Sequence, residues 1–123
     1  MGEMSPDTRA MVAAAAYAYI SGRKVAGMHD HAAGRDRRIA AEARGEQLQG
    51  YDGDRAAGFG GSLPDLFDAG TNSFVALRIE GANAEGYDHQ TATAFAVAVS
   101  DQRAQVYDHG QRAWFTFDLQ LAG

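Results

Sequence analysis

The stretch YDHQTATAFAVAV, residues 87–99, contains the pattern that decides the fold: an aromatic-Asp pair, a short polar turn and then an apolar run. The pair recurs about every 20 residues, roughly the length of one β-hairpin. The copies are Tyr51-Asp52, Phe67-Asp68, Tyr87-Asp88 and Tyr107-Asp108, with His29-Asp30 as a degenerate fifth copy. This repeat predicts a meander of antiparallel strands in which one chemical signature marks each hairpin end.

Alternating hydrophobicity supports the strands, because apolar residues at every second position place one face in a core. One continuous interior is predicted from these apolar side chains: Val75, Leu77, Ile79, Phe95, Val97, Val99, Phe115, Phe117 and Leu119. The other face of the strand at 93–99 carries only alanines, so we expect a second layer to cover it closely.

An N-terminal helix at residues 5–21 precedes the meander, which spans residues 24–121 of a single domain, 1–123. Ser5 is a suitable N-cap, Pro6 suits the first helical position, and Gly22 can end the helix. The segment is apolar on nearly all sides. We therefore expect one face to cover the alanine side of the strand at 93–99 and the other to contact a second copy of the chain. Self-association through this Ala-rich helix, as a homodimer, is the predicted partner interaction.

Glycine positions in two turns fix the predicted register of the strands. Gly70 and Gly110 each stand first in a two-residue loop, which indicates type II′ turns. Folding the chain there pairs Phe67 with Phe74, and Tyr107 with Trp114. The same register places the repeated aspartates on the core side of each strand end. It pairs Asp52 with Ala57, Asp68 with Ser73, Asp88 with Thr93 and Asp108 with Ala113.

The predicted fold class is mainly β, an antiparallel meander of hairpin repeats with one N-terminal α-helix. So many short strands should close or nearly close, because an open sheet leaves adhesive edges. We expect a barrel, with a two-sheet sandwich as the alternative.

Composition excludes several functional classes. The 123-residue chain has no cysteine, which excludes disulfides and thiolate metal sites and fits a cytoplasmic location. Its net charge of −5 is unfavourable for binding nucleic acid. The longest apolar run, residues 10–20, is too short to span a membrane. No motif for a cofactor or a catalytic nucleophile is present, and we expect neither a cofactor nor catalysis.

Repeated aspartates and histidines form the first candidate site. Asp52, Asp68, Asp88 and Asp108 could ring one mouth of the barrel. The histidines that could bind a metal ion there are His29, His31, His89 and His109. Such a mouth could bind a cation or small ligand, or perform acid–base chemistry. In the alternative interpretation, each aspartate accepts hydrogen bonds from the amides of its own turn.

Aromatic residues form the second candidate site. Tyr87, Tyr107 and Trp114 are predicted to lie near the turns on the outer face, where such rings suit a sugar or a protein surface. Alternatively, they only stiffen the hairpins by cross-strand pairing. The sequence therefore favours a non-catalytic binding or assembly module, with the acidic barrel mouth and a carbohydrate-binding module as alternatives.

Overall fold

A computed structural model describes residues 3–122 and contains one helix followed by short strands. Helix α1 spans Pro6–Ser21. The strands are β1 Val25–Asp30, β2 Arg35–Arg37, β3 Ile39–Arg44, β4 Gln47–Asp52, β5 Ala57–Ser62, β6 Asp65–Asp68, β7 Ser73–Glu80, β8 Asn83–Asp88, β9 Thr93–Ser100, β10 Arg103–Asp108 and β11 Ala113–Leu121. These bounds confirm the predicted mainly-β class with one N-terminal helix.

The strands form a closed antiparallel barrel. From β3 to β11 each strand pairs with the next one along the chain, and β11 then pairs with β1. Strands β2 and β3 are separated by Arg38 alone and both pair with β1, so the ring has 10 strand positions. The predicted barrel is confirmed, and the sandwich alternative is wrong.

The predicted register is also confirmed in every hairpin of the repeat. The aspartates pair as expected: Asp52 with Ala57, Asp68 with Ser73, Asp88 with Thr93 and Asp108 with Ala113. The predicted turn type is wrong, however. Gly70 does not have a positive φ, and the left-handed residue is instead the last of the loop, Asn72, with φ 54°. A four-residue loop with a left-handed final residue gives the same strand pairing as the predicted turn.

Helix α1 lies inside the barrel. Ser5 caps it by accepting a hydrogen bond from the Thr8 amide at 3.1 Å, and Gly22 ends it in a left-handed conformation. Every residue from position 8 to position 18 is buried, and α1 contacts strands all around the ring. The small alanines 13–16 let a helix fit within a barrel of this size. The helix face that the sequence assigns to contact with a second copy of the chain is thus buried within the barrel over residues 8–18.

Strand β9 also differs from the prediction, in which of its two faces meets the helix. Phe95 and Val97 point into the core beside the helix, whereas Ala94 is exposed on the outer surface. The helix thus covers the side opposite to the one expected. All of the predicted core side chains are buried in the interior cluster or pack against it.

Phe95 also requires a glycine on the neighbouring strand. Gly86 pairs directly with Phe95, and a Cβ atom at Gly86 would overlap the Phe95 ring and the Ala76 carbonyl oxygen. Gly50 and Phe59 repeat this arrangement between β4 and β5. The barrel wall therefore accommodates large inward rings beside residues that lack a side chain.

Candidate functional site

The repeated aspartates lie at one end of the barrel and are all buried, with 0–3% of each residue exposed. Each carboxylate accepts hydrogen bonds from backbone amides of its own turn, as the turn-forming interpretation expects. The donors are Ala32 and Ala33 to Asp30, Asp54 and Arg55 to Asp52, Gly70 to Asp68, Gln90 to Asp88, and Gly110 and Gln111 to Asp108, at 2.8–3.3 Å. These bonds fix the shape of every hairpin end.

Arg37 neutralises the first aspartate of the series. Its Nε donates to Asp30 Oδ2 at 2.7 Å, and its Nη1 donates to Asp7 Oδ1 at 2.9 Å in the first turn of α1. Burial alone would lower the pKa of the Arg37 guanidinium, but these two hydrogen bonds raise it above its ordinary value. Arg37 therefore joins the start of the helix to the barrel wall.

Arg55 connects two neighbouring hairpins. Its Nε donates to Asp52 at 2.7 Å, and its two terminal nitrogens donate to the two oxygens of Asp68 at 3.1 Å each. Burial would lower the pKa of Arg55, but the bonds to Asp68 and Asp52 raise it. Planar guanidinium geometry allows this double bridge, which a lysine could not make.

Arg9 and the backbone of Met4 lie next to Asp108 at the same end of the barrel. The Met4 amide donates to Asp108 Oδ2 at 3.1 Å, and Arg9 Nη1 lies 4.0 Å from that oxygen. The guanidinium of Arg9 also stacks over the Phe115 ring at 3.7 Å. Burial lowers the pKa of Arg9, although the nearby Asp108 opposes this shift. The predicted mouth is thus occupied by the segment that leads into α1.

Asp88 is stabilised differently from its equivalents. It accepts hydrogen bonds from the Gln90 amide at 3.2 Å and from the Thr91 hydroxyl at 2.7 Å. Within residues 3–122 it forms no ion pair. The equivalent threonine hydroxyl, that of Thr71, lies 3.4 Å from Asp68, where Arg55 is present in addition, so Asp88 has the hydroxyl without the arginine.

On the outer face of the barrel, aromatic and imidazole rings form three groups, one on each of three successive hairpins, which together we call the aromatic band. It consists of Phe67, Phe74, Tyr87, His89, Tyr107, His109 and Trp114. Ring centroids lie 5.0 Å apart for Phe67–Phe74 and Tyr87–His89, 4.8 Å for Tyr107–His109 and 5.1 Å for Tyr107–Trp114. These edge and tilted contacts are the favoured geometries for ring pairs. The register thus brings the three predicted aromatic residues into one surface.

Ala94 lies between the Tyr87–His89 group and the Tyr107–His109 group of the band. It pairs with Tyr87 on β8, and its carbonyl oxygen accepts a hydrogen bond from the His109 amide at 3.1 Å. Because Ala94 is small and exposed, the rings of Tyr87 and His109 stand on either side of a low floor. The band therefore has relief rather than a flat surface.

Tyr51 lies apart from the band. Its strand neighbours are Ala40 on β3 and Gly58 on β5, and it borders a groove of about 420 Å³ on the outer face of β1, β3 and β4. Alanine and glycine form the floor of this groove, with Lys24 and Glu42 at its side. Tyr51 is 52% exposed and provides a useful comparison for the rings of the band.

His29 and His31 are the predicted metal-binding residues that come together. They lie on the outer face of β1, with ring centroids 5.2 Å apart. His29 Nδ1 is 2.8 Å from Asp36 Oδ1, and His31 Nε2 is 2.7 Å from Asp118 Oδ2. The bond to His29 lowers the pKa of Asp36, and bonds from Arg103 and His31 lower the pKa of Asp118.

His89 and His109 do not join this pair, because each makes an edge-on contact with the tyrosine of its own hairpin. Within residues 3–122 no group of three or more histidine, cysteine or acidic side chains is arranged to hold a metal ion. The carboxylates of the predicted aspartate ring therefore accept hydrogen bonds from arginines, backbone amides and hydroxyls of the protein. Among the predicted histidines, His29 and His31 lie close to each other.

The sequence does not single out Arg9 or Arg55. From the sequence, the cluster Arg35, Arg37 and Arg38 is predicted to be a solvated basic edge, whereas the structure buries Arg37. One signal was available for Arg55, since it follows Asp52 by three residues within a turn.

The part of the chain that the structure describes has no helix with the length and hydrophobicity to cross a membrane. Comparisons with protein-family models, curated proteins and solved structures give no match.

Proposed function

We propose that this protein is a non-catalytic binding module that recognises a carbohydrate through the aromatic band. The observation that carries the proposal is the exposure of Phe74, Tyr87 and Trp114, at 53%, 38% and 56%, each within a ring pair on the outer face of the barrel. Large aromatic side chains are normally buried, and a cluster of exposed ones marks an interaction surface.

The chemistry of the band suits a sugar. Tyrosine and tryptophan offer a ring face for the apolar side of a sugar and a polar group for its hydroxyls. His89 and His109 add further ring nitrogens beside these faces, and the Gln90 and Gln111 side chains are exposed in the adjoining loops. A neutral ligand with many hydroxyl groups can use both features at once.

The size of the band favours a ligand smaller than a folded protein. With roughly 200 Å² per ring, the three most exposed rings present about 300 Å². A stable protein interface buries roughly 800 Å² per partner, somewhat more than half of it apolar. A short oligosaccharide can cover the band completely.

The occupied interior also supports an outer site. Barrels of similar strand number often bind small ligands in their lumen. Here α1 takes that place, and Arg9, Arg37 and Arg55 occupy the end where the aspartates lie. Recognition at the outer face leaves this buried network intact.

Trp114 provides the assay, because it is the one tryptophan of the chain and lies in the band. Titration with a panel of neutral hexasaccharides (cello-, chito-, manno- and xylohexaose) should shift its emission for at least one sugar, and calorimetry should confirm binding. Tyr87→Ala should remove the shift, whereas Tyr51→Ala should leave it unchanged. An unchanged response of Tyr87→Ala, or no binding across the panel at millimolar sugar, contradicts the proposal.

Self-association is the second candidate, because exposed tyrosine and tryptophan rings are also enriched at interfaces between proteins. Light scattering over a range of protein concentrations tests it directly. A homodimer that Trp114→Ala converts to a monomer would make the band an assembly surface instead of a sugar site. We further propose a cytoplasmic location, which the lack of cysteine supports.

A further inference from the structure

We propose that His29 and His31 form a two-imidazole site for a divalent transition-metal ion on the outer face of β1. This site lies away from the aromatic band and does not depend on the carbohydrate proposal. Imidazole is a ligand that Zn²⁺, Ni²⁺ and Cu²⁺ favour, whereas Ca²⁺ and Mg²⁺ favour oxygen ligands.

Strand geometry places the two rings on the same side. His29 and His31 are two positions apart, so both side chains leave the same face of β1, and both are partly exposed, at 42% and 43% of the side chain. The intervening Asp30 points into the barrel, where it is held by Arg37. The backbone between the two ligands is therefore fixed by a buried ion pair.

The separation of the rings matches a shared ion. Two imidazoles that bind one tetrahedral ion through nitrogens at 2.0–2.1 Å have ring centroids about 5.2 Å apart. The centroids of His29 and His31 are 5.2 Å apart, with the ring planes at 77°. Both side chains are partly exposed, which leaves room for an ion between the two rings.

Each ring is already oriented by a carboxylate. A carboxylate oxygen only accepts, so His29 donates from Nδ1 to Asp36 and keeps the lone pair on Nε2. His31 donates from Nε2 to Asp118 and keeps the lone pair on Nδ1. A carboxylate on the second ring nitrogen is the usual support of a metal-binding histidine. Water completes the coordination of the ion at this exposed position.

Arg103 is the nearby cation that would oppose a metal ion. Its Nε donates to Asp118 Oδ1 at 2.9 Å, on the oxygen that His31 does not use. The Asp118 carboxylate therefore lies between the guanidinium and the His31 ring. Asp36 contributes a second negative charge on the other side of His29.

The test is calorimetric titration of the untagged, full chain with NiCl₂ and ZnCl₂. We expect one ion per chain. The His29→Asn and His31→Asn variants should each lose the isotherm, whereas His89→Asn and His109→Asn should retain it. CaCl₂ and MgCl₂ should give no isotherm. Electron paramagnetic resonance with Cu²⁺ should show two coordinating nitrogens in the wild type and one in each single variant of the pair.

Asp118 is a positioning residue in this proposal. Asp118→Asn should weaken the affinity by about tenfold while the metal-free melting temperature changes little, since Asp118 is partly exposed. The proposal is overturned if the wild type binds neither ion, or if a His29→Asn/His31→Asn double variant binds as the wild type does. Equal losses in the His89→Asn control overturn it as well.

Discussion

Replacing Asp68 by asparagine should destabilise the protein far more than the same change at Asp88. The two residues occupy equivalent positions in the repeat, and both are essentially buried, at 0% and 1% exposed. Both accept from the hydroxyl of the threonine three residues later, Thr71 at 3.4 Å and Thr91 at 2.7 Å, but Asp68 also holds both terminal nitrogens of Arg55. The comparison therefore isolates the contribution of the buried arginine.

The magnitudes follow from what each substitution leaves behind. Asp68→Asn places an amide against the buried guanidinium of Arg55, and breaking such a pair costs about 3–5 kcal/mol. We expect the lower end, about 3 kcal/mol, because Arg55 keeps its bond to Asp52 at 2.7 Å. For Asp88→Asn we expect about 0.5–1 kcal/mol, since the amide oxygen still accepts from Gln90 and the Thr91 hydroxyl can turn to accept.

Thermal melts followed by circular dichroism measure both effects. For a chain of this size, these losses correspond to falls in melting temperature of about 10–15 °C for Asp68→Asn and about 2–4 °C for Asp88→Asn. Urea unfolding should give the same order in free energy, without a change in its denaturant dependence. Equal falls for the two variants would refute the reasoning, because the arginine bridge would then contribute nothing.

Three further predictions concern stability. Phe117→Ala should cost about 3–5 kcal/mol in urea unfolding, because the ring is fully buried in the core; a loss below about 1 kcal/mol would contradict its assigned place. Gly86→Ala should lower the melting temperature strongly through its overlap with Phe95, whereas Gly58→Ala should not, since its Cβ would make an ordinary 3.6 Å contact. Asp118→Asn should flatten the acid destabilisation below the ordinary aspartate pKa of 3.8. The folded chain binds that proton more weakly, so the stabilisation is present above this pH and is lost as the pH falls through the lowered value. If stability falls with pH equally steeply in Asp118→Asn and in the wild type, this prediction is contradicted.

Local pattern was enough to predict most of the barrel wall. Each hairpin closes within a few residues, so the position of the aromatic-Asp pair and the next apolar residue sets the register, as in Asp108 with Ala113. The predicted turn type was wrong because it gave the positive φ to Gly70, whereas Asn72 adopts the left-handed conformation. Several loop conformations share one register, and only the register affects which face is buried.

Long-range contacts were not predictable in the same way. An apolar, alanine-rich helix can be enclosed or shared between subunits, and the sequence does not state the diameter of the barrel that encloses it. The arginines show a related difficulty, since Arg37 and the exposed Arg38 are adjacent in the chain. The partners of Arg37 lie on α1 and β1, and only the closed barrel brings them together.

The enclosure of α1 determines how the protein exchanges its amide hydrogens. The barrel is closed by the pairing of β1 with β11, the first and last strands. Apart from this pairing and the contact of β1 with β3, each pairing in the ring joins strands that are neighbours along the chain. Solvent cannot reach the middle of α1 through an intact wall, so its amides should exchange only when the whole barrel opens. The slowest amides of the molecule should therefore belong to Ala13–Ala16, and their exchange rate should report the global free energy of unfolding.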